Sequence, residues 1–159
     1  MNPATPYIPA SLHTSMDIAR ITTEETYPLR QLVLRPNGSL KDVQWPHDND
    51  ASAFHLGASN GAGLIGVGTF YPEKHKGLKG PRPFRLRGMA THPDHRGRGA
   101  GGLIVRQALE ELRKRDSTLV WCNARIRAVA FYERVGFETH GEAFELPGIG
   151  LHYVMWRRP

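Results

Sequence analysis

Apolar and polar residues alternate over Asp17-Ile18-Ala19-Arg20-Ile21-Thr22 and predict a first strand. The period then changes. Thr22 with Glu25 fits a capping box and opens a helix that buries Leu29, Leu32 and Val33 and stops before Pro36. Asn37-Gly38-Ser39 is a turn, and the polar stretch 40–52, which has no period, reads as a flexible rim. Phe54–Ala58 and Leu64–Tyr71 read as a hairpin joined by Ser59-Asn60-Gly61-Ala62-Gly63. The loop 72–83, rich in Lys, Gly and Pro, leads to a strand from Phe84 to Thr91 that ends near His92-Pro93. An amphipathic helix follows over Leu103–Leu112, and Ser117–Asn123 is β-branched and aromatic enough for a buried strand. Phe131 and Val135 share one face of a helix over Ala128–Val135, with Gly136 placed as its C-cap. Final strands fall at 137–144 and 150–156. Residues 1–16 carry three prolines and no period, so they read as a loose tail ahead of one domain over 17–159. Without repeat or linker, the pattern is an α/β domain, a mixed sheet with helices on its faces.

Composition narrows the class. A chain of 159 residues, 40% hydrophobic and 23% charged, is most simply one soluble domain with a sizeable core. Its apolar runs are far shorter than the ~20 residues that span a bilayer. No basic start followed by an apolar stretch marks a secretory signal. The single cysteine, Cys122, cannot form an internal disulfide, which fits the cytoplasm, and inside an apolar strand it reads as a core residue rather than a nucleophile. The net charge of +6 suits either nucleic acid or a phosphate-bearing small molecule. The excess is dispersed, with Lys74, His75, Lys76, Lys79 and Arg82 in one loop and Arg157 and Arg158 near the end. No nucleic-acid module accompanies it. His47-Asp48-Asn49-Asp50 lacks further ligands at metal-binding spacing, so a solvated loop is expected and no metal.

Arg96-Gly97-Arg98-Gly99-Ala100-Gly101-Gly102 lies between a strand and a helix start. A glycine-rich turn there lets free backbone N–H groups approach a ligand, and the helix dipole with Arg96, Arg98 and Arg106 favours an anion such as a pyrophosphate. No Gly-Lys-Ser/Thr follows, so this is not the magnesium-nucleotide loop. Gly97, Gly99 and Gly102 do form Gly-x-Gly-x-x-Gly, but the turn lies past the middle of the chain. Asp116 also stands before the next strand rather than at its end, against a dinucleotide fold.

The order of strand, Arg-x-x-Gly-x-Gly turn, helix, strand, and helix with Phe131-Tyr132-x-x-x-Gly136-Phe137 resembles the GNAT superfamily of acyl-CoA-dependent N-acetyltransferases. The resemblance covers about residues 17–156 and is densest over 84–137. Trp121–Arg125 and Gly141–His152 look like a small bacterial branch with unassigned substrates. It implies a GNAT-like single domain: a mixed, mostly antiparallel sheet with two central strands splayed apart and helices on both faces. It also implies direct transfer from acetyl-CoA to a primary amine, in the cytoplasm, and leaves room for a homodimer. The pantetheine arm would insert between the splayed strands, with Met89, Ala90 and Thr91 offering backbone groups and a bulge at Gly88. The pyrophosphate would sit on Arg96, Gly97, Arg98, Gly99, Ala100, Gly101 and Gly102. Asn123, Phe131 and Tyr132 complete the cofactor contacts.

For the chemistry, the resemblance makes Tyr132 the general acid for the departing thiolate and the Met89 N–H the donor to the oxyanion. The strand before the turn departs from a common family pattern, carrying Arg85 and Arg87 on one face where many relatives place a glutamate base. The base is then His55, Glu73, His152 or a water chain. Arg85, Arg87, Arg125 and His152 are the candidate acceptor contacts. The two arginines at 85 and 87 are either a site for an anionic group or exposed ladder positions. The acceptor stays open among amino acid, polyamine, aminoglycoside, peptide N-terminus and protein lysine. A non-catalytic acyl-CoA-binding or sensing module is the alternative reading, and a basic nucleic-acid-binding protein a remote one.

Overall fold

The computed structural model describes residues 15–159. The tail expected over 1–16 lies outside the described residues up to position 14, and Met16 already packs against the core. Seven strands form one sheet: β1 Asp17–Ile21, β2 Phe54–Asn60, β3 Gly63–Pro72, β4 Phe84–Thr91, β5 Val120–Arg125, β6 Glu138–Leu146 and β7 Gly150–Arg157, in the order β1-β2-β3-β4-β5-β7-β6. Every neighbouring pair is antiparallel except β4 with β5.

Among the described residues three α-helices cover the sheet: α1 Thr23–Leu34, α2 Ala100–Lys114 and α3 Val129–Arg134. On β3, Val67 packs under α1 with Leu29 and Ala90. The flanking Gly66 and Gly68 lie against Ile104 of α2. Alternation along one strand therefore puts α1 and α2 on opposite faces. The α2 stripe of Ile104, Val105, Ala108, Leu109 and Leu112 builds the larger core with Phe54, Phe70, Phe84, Leu86, Cys122 and Met155.

The capping box at Thr22 and Glu25 forms as the sequence predicts. The buried face of α1 does not. Leu32 is 48% exposed and Val33 only half-buried, whereas Thr23, Thr26, Leu29 and Arg30 face inward. The inward face is mostly polar because it meets polar partners. Arg30, with no exposed surface, sets both guanidinium ends against Asp48 (Nη1 to Oδ2 2.8 Å, Nη2 to Oδ1 2.9 Å). It also donates to the Val43 carbonyl at 2.8 Å and to Thr69 Oγ1 at 2.7 Å.

This network overturns the flexible rim expected over 40–52. The segment is a strap: a 3₁₀ turn at Leu40–Val43, Val43 fully buried, and Asp48 accepting from the Trp45 N–H at 2.9 Å. Within the former metal candidate, His47 instead pairs with Asp50 at 2.8 Å. Among the described residues no group of three His, Cys, Asp or Glu is arranged to hold a metal, and no helix is long and apolar enough to cross a membrane.

Replacing Asp48 with Ala strands the Arg30 charge away from water. Chemical denaturation of Asp48→Ala should show about 3–5 kcal/mol less unfolding free energy than the parent chain. Glu111→Ala, which removes the half-buried but water-accessible partner of Arg20 and Arg115, should cost less than that, about 1 kcal/mol in the same assay.

Candidate active site

β4 and β5 pair at only two rungs, Phe84 with Val120 and Arg85 with Trp121. Beyond them the strands diverge. On its other side β4 carries a bulge: the register with β3 shifts between Val67 and Thr69, so Gly88 and Met89 stand opposite Gly68. Gly88 has φ +69°, and a Cβ there would meet the Trp45 ring at 2.6 Å and Arg30 Nε at 3.0 Å. Glycine thus satisfies both the left-handed backbone and the close approach. The bulge turns β4 away from β5 and opens a cleft of about 790 Å³.

At one end of the cleft the glycine-rich turn meets α2. Gly97 and Gly99 have φ +75° and +87°, and open space lies where their Cβ atoms would be. Gly99 is the N-cap of α2 and supplies no capping side chain, so the N–H groups of the first helical turn remain free for an acceptor. The helix begins at Ala100, three residues ahead of the apolar pattern. Ala100, Gly101 and Gly102 are therefore its first turn rather than part of the preceding loop. Gly101 has a second role. A Cβ there would touch the Phe131 ring at 2.9 Å, so the two sequence motifs pack directly on each other. α3 ends as expected at Gly136 (φ +92°), with Phe137 N–H bonded to the Tyr132 carbonyl and Gly136 N–H to that of Glu133.

Most of the anticipated residues line this one cleft: Arg85, Arg87, Met89, Thr91, Arg96, Gly97, Gly99 through Gly102, Asn123, Arg125, Phe131, Tyr132 and His152. Two do not. The Ala90 side chain turns under α1, and Arg98 lies outside the lining, its Nη1 3.4 Å from His95 Nδ1. Trp45, His95, Arg35, Arg127, Arg134 and the β6–β7 turn residues Leu146 and Ile149 also line the cleft, and the sequence reading had not named them. Trp45, a lone aromatic in a polar stretch, was the one available signal.

Tyr132 is buried beside Cys122. Burial first, then the neighbouring thiol, raises its pKa well above the usual phenol value, so the hydroxyl keeps its proton. Burial also pushes the Cys122 thiol up, which keeps it a poor nucleophile. His152 Nδ1 lies 2.8 Å from the Gly150 carbonyl. A carbonyl only accepts, so Nδ1 carries the proton and the neutral ring keeps a lone pair on Nε2. His55 is differently placed. Its Nε2 donates to the Asp48 carbonyl at 2.9 Å and its Nδ1 accepts from Thr69 at 2.7 Å, while burial lowers its pKa. Glu73 is held by Arg85 at 2.9 Å. Arg125 reaches across to the Leu34 carbonyl at 3.0 Å, and burial, then Arg35 and Arg127, disfavours its charge.

A mixed sheet that splits between two parallel neighbours, with a glycine-rich helix start at the split, defines an α/β protein with an open cleft between strands. Comparison with known proteins gives that class a family: residues 17–137 match the acetyltransferase (GNAT) family, to which this chain belongs. It is an acetyltransferase. The Bacillus subtilis (strain 168) protein YitI, an uncharacterized N-acetyltransferase, is 34% identical over 142 residues, 89% of this chain and 95% of its own length. A candidate N-acetyltransferase from Lactobacillus plantarum shares the fold at TM-score 0.72 and 19% identity, over 91% of this chain and 98% of that one. So does an aminoglycoside 6'-N-acetyltransferase solved with coenzyme A, at TM-score 0.69 and 13% identity, over 89% and 96%.

Any side chain at position 88 meets both positive φ and the Trp45–Arg30 wall. Gly88→Ala should lower the unfolding free energy by about 2–4 kcal/mol in urea titration, from left-handed strain and overpacking together. A loss under about 0.5 kcal/mol would mean the bulge relaxes freely.

Proposed function

We propose that this acetyltransferase moves the acetyl group of acetyl-CoA to a primary amine by direct transfer. The observation that carries the reading is the cleft itself, which joins a side-chain-free helix start to Tyr132 and Asn123 through a gap of unpaired strand. Acetyl-CoA fits that architecture: its pyrophosphate suits the free N–H groups at Arg96–Gly102, and its amide-bearing arm suits the edge of Met89–Thr91 that faces β5 and pairs with no strand there. When bound, the cofactor supplies an activated thioester.

The residues of the chain supply the rest. The Met89 N–H, at the bulge, stabilises an oxyanion. Tyr132, protonated because it is buried, gives a proton to the sulfur that leaves. An alkylamine with pKa near ~10 must first lose a proton at neutral pH, and the base this reading assigns is His152, a cleft histidine whose Nδ1 is held by the Gly150 carbonyl. Cys122 takes no covalent part, since burial keeps it a thiol, and this favours direct transfer over an acyl-enzyme.

Calorimetric titration with acetyl-CoA should show saturable binding near one site per chain. No heat from folded protein at several temperatures would sink the cofactor assignment. With a competent amine, Tyr132→Phe should lower kcat by about 100-fold or more and leave acetyl-CoA affinity nearly unchanged; equal loss of both would remove the acid role. His152→Gln should lower kcat/KM for the amine by a factor on the order of 100 at neutral pH. That deficit should shrink as pH rises toward the amine's own pKa, about 10, because the substrate then deprotonates unaided. An unchanged rate at neutral pH would hand the base role to water.

A further inference from the structure

The acceptor side of the cleft carries more guanidinium than carboxylate. Three arginines from α1 and β4 crowd together there, and two are already committed, Arg30 to Asp48 and Arg85 to Glu73. Arg87 is not. It lines the cleft half-buried, two residues before Met89, with no ion pair among the described residues and with the neutral Tyr71 hydroxyl as the neighbour that supports its charge. Its guanidinium carbon lies 4.2 Å from the centre of the Trp45 ring, whose other cationic neighbour is Arg30 at 4.0 Å. Contact with the indole restrains the guanidinium, and beside the neutral Tyr71 hydroxyl its five donors exceed what one oxygen can take.

A second observation converges on the same place. The buried side-chain polar atoms without a partner, among the described residues, are Arg30 Nε, Tyr71 Oη and Arg85 Nε. All three belong to residues around Arg87: Tyr71 lies beside it, Arg85 is its neighbour on the β4 face, and Arg30 Nε faces Gly88. Orphaned buried polar groups are rare, and a cluster of them beside an unpaired cation marks a place for an anion or water. Burial, with Arg85 and Arg30 adding repulsion, lowers the Arg87 pKa, so a negative partner is what the position lacks. Arg35, Arg125 and Arg127 line the same cleft and add further repulsion toward a cationic acceptor.

Resting on the acetyl-transfer reading above, we propose that Arg87 binds an oxyanion carried by the amine acceptor, so that the substrate class is amines bearing a carboxylate or phosphate rather than polyamines or aminoglycosides. The guanidinium fork takes two oxygens side by side, which orients the acceptor as well as holding it.

Matched pairs test this under saturating acetyl-CoA. Tyrosine against tyramine and histidine against histamine probe a carboxylate; phosphoethanolamine against ethanolamine probes a phosphate. The oxyanion member should show kcat/KM about 10–100-fold above its partner, and the arm with the larger ratio identifies the source. Arg87→Gln should bring that ratio near one and Arg87→Lys should keep part of it, with acetyl-CoA affinity by calorimetry unchanged in both. Equal or better turnover of the decarboxylated or dephosphorylated amines overturns the inference, as does a preference that survives in Arg87→Gln. Should Arg87→Gln fail to fold, the parent ratio and the Arg87→Lys ratio decide. If acetyl-CoA binds and no oxyanion-bearing amine is acetylated, the inference falls and the cofactor assignment stands. If acetyl-CoA does not bind, the proposed function falls, and titrating the same pairs into the parent chain and Arg87→Gln still decides whether Arg87 holds an oxyanion.

Discussion

A guanidinium without access to water needs partners for its charge, and Arg30 organises its surroundings for that reason. Desolvating the pair costs several kcal/mol per ion, and two-pronged contact with Asp48 offsets that only if the remaining donors are also used. The Val43 carbonyl and Thr69 take up the two terminal nitrogens further, and Nε alone stays without a partner. Asp48 in turn receives the Trp45 N–H, so one ion pair fixes the strap, the turn within it and the indole above the bulge. Gly88 then has no room for a side chain, because the wall it meets is this assembly. The acceptor face therefore inherits its shape from a single buried charge on the polar side of α1.

The two halves of the cleft are made of different material. The end where the cofactor is proposed to sit is mainly backbone: a left-handed turn, a bare helix start and strand edges without partners. Such a site depends on glycines and chain path rather than on functional groups, so a short motif suffices to build it. The opposite end is made of side chains contributed by α1, the strap, β4, β5 and the β6–β7 turn. Residues far apart in sequence meet there, and their meaning depends on who their neighbours are.

That difference explains what was legible. The strands, the capping box at Thr22, the turn at 96–102 and the Gly136 stop all follow local rules, and they stand where the pattern put them, with shifts of a few residues. The start of α2 was missed by three positions because Ala100, Gly101 and Gly102 have weak apolar signals and only backbone geometry makes them helical. Leu32 was misjudged because the helix buries Thr26 and Arg30, and hydrophobic spacing cannot report a polar core. The strap looked like solvent-exposed loop for the same reason: Asp48 reads as polar in sequence and is buried only because Arg30, eighteen positions away, needs it. Arg85 and Arg87 sit at equivalent strand positions, and sequence alone could not tell the paired one from the unpaired one.

The two-rung contact between β4 and β5 has a mechanical side. Counted by hydrogen bonds, the sheet is two plates, one of β1 to β4 and one of β5, β7 and β6, riveted at Phe84–Val120 and Arg85–Trp121. Near the gap the Arg125 tie to Leu34 and the seat of Phe131 against Gly101 are thin fastenings. An extended ligand lying between the plates becomes an eighth strand in all but covalent continuity. If acetyl-CoA binds there as proposed, it joins the plates, and the molecule's stiffness as well as its chemistry then follows from its binding.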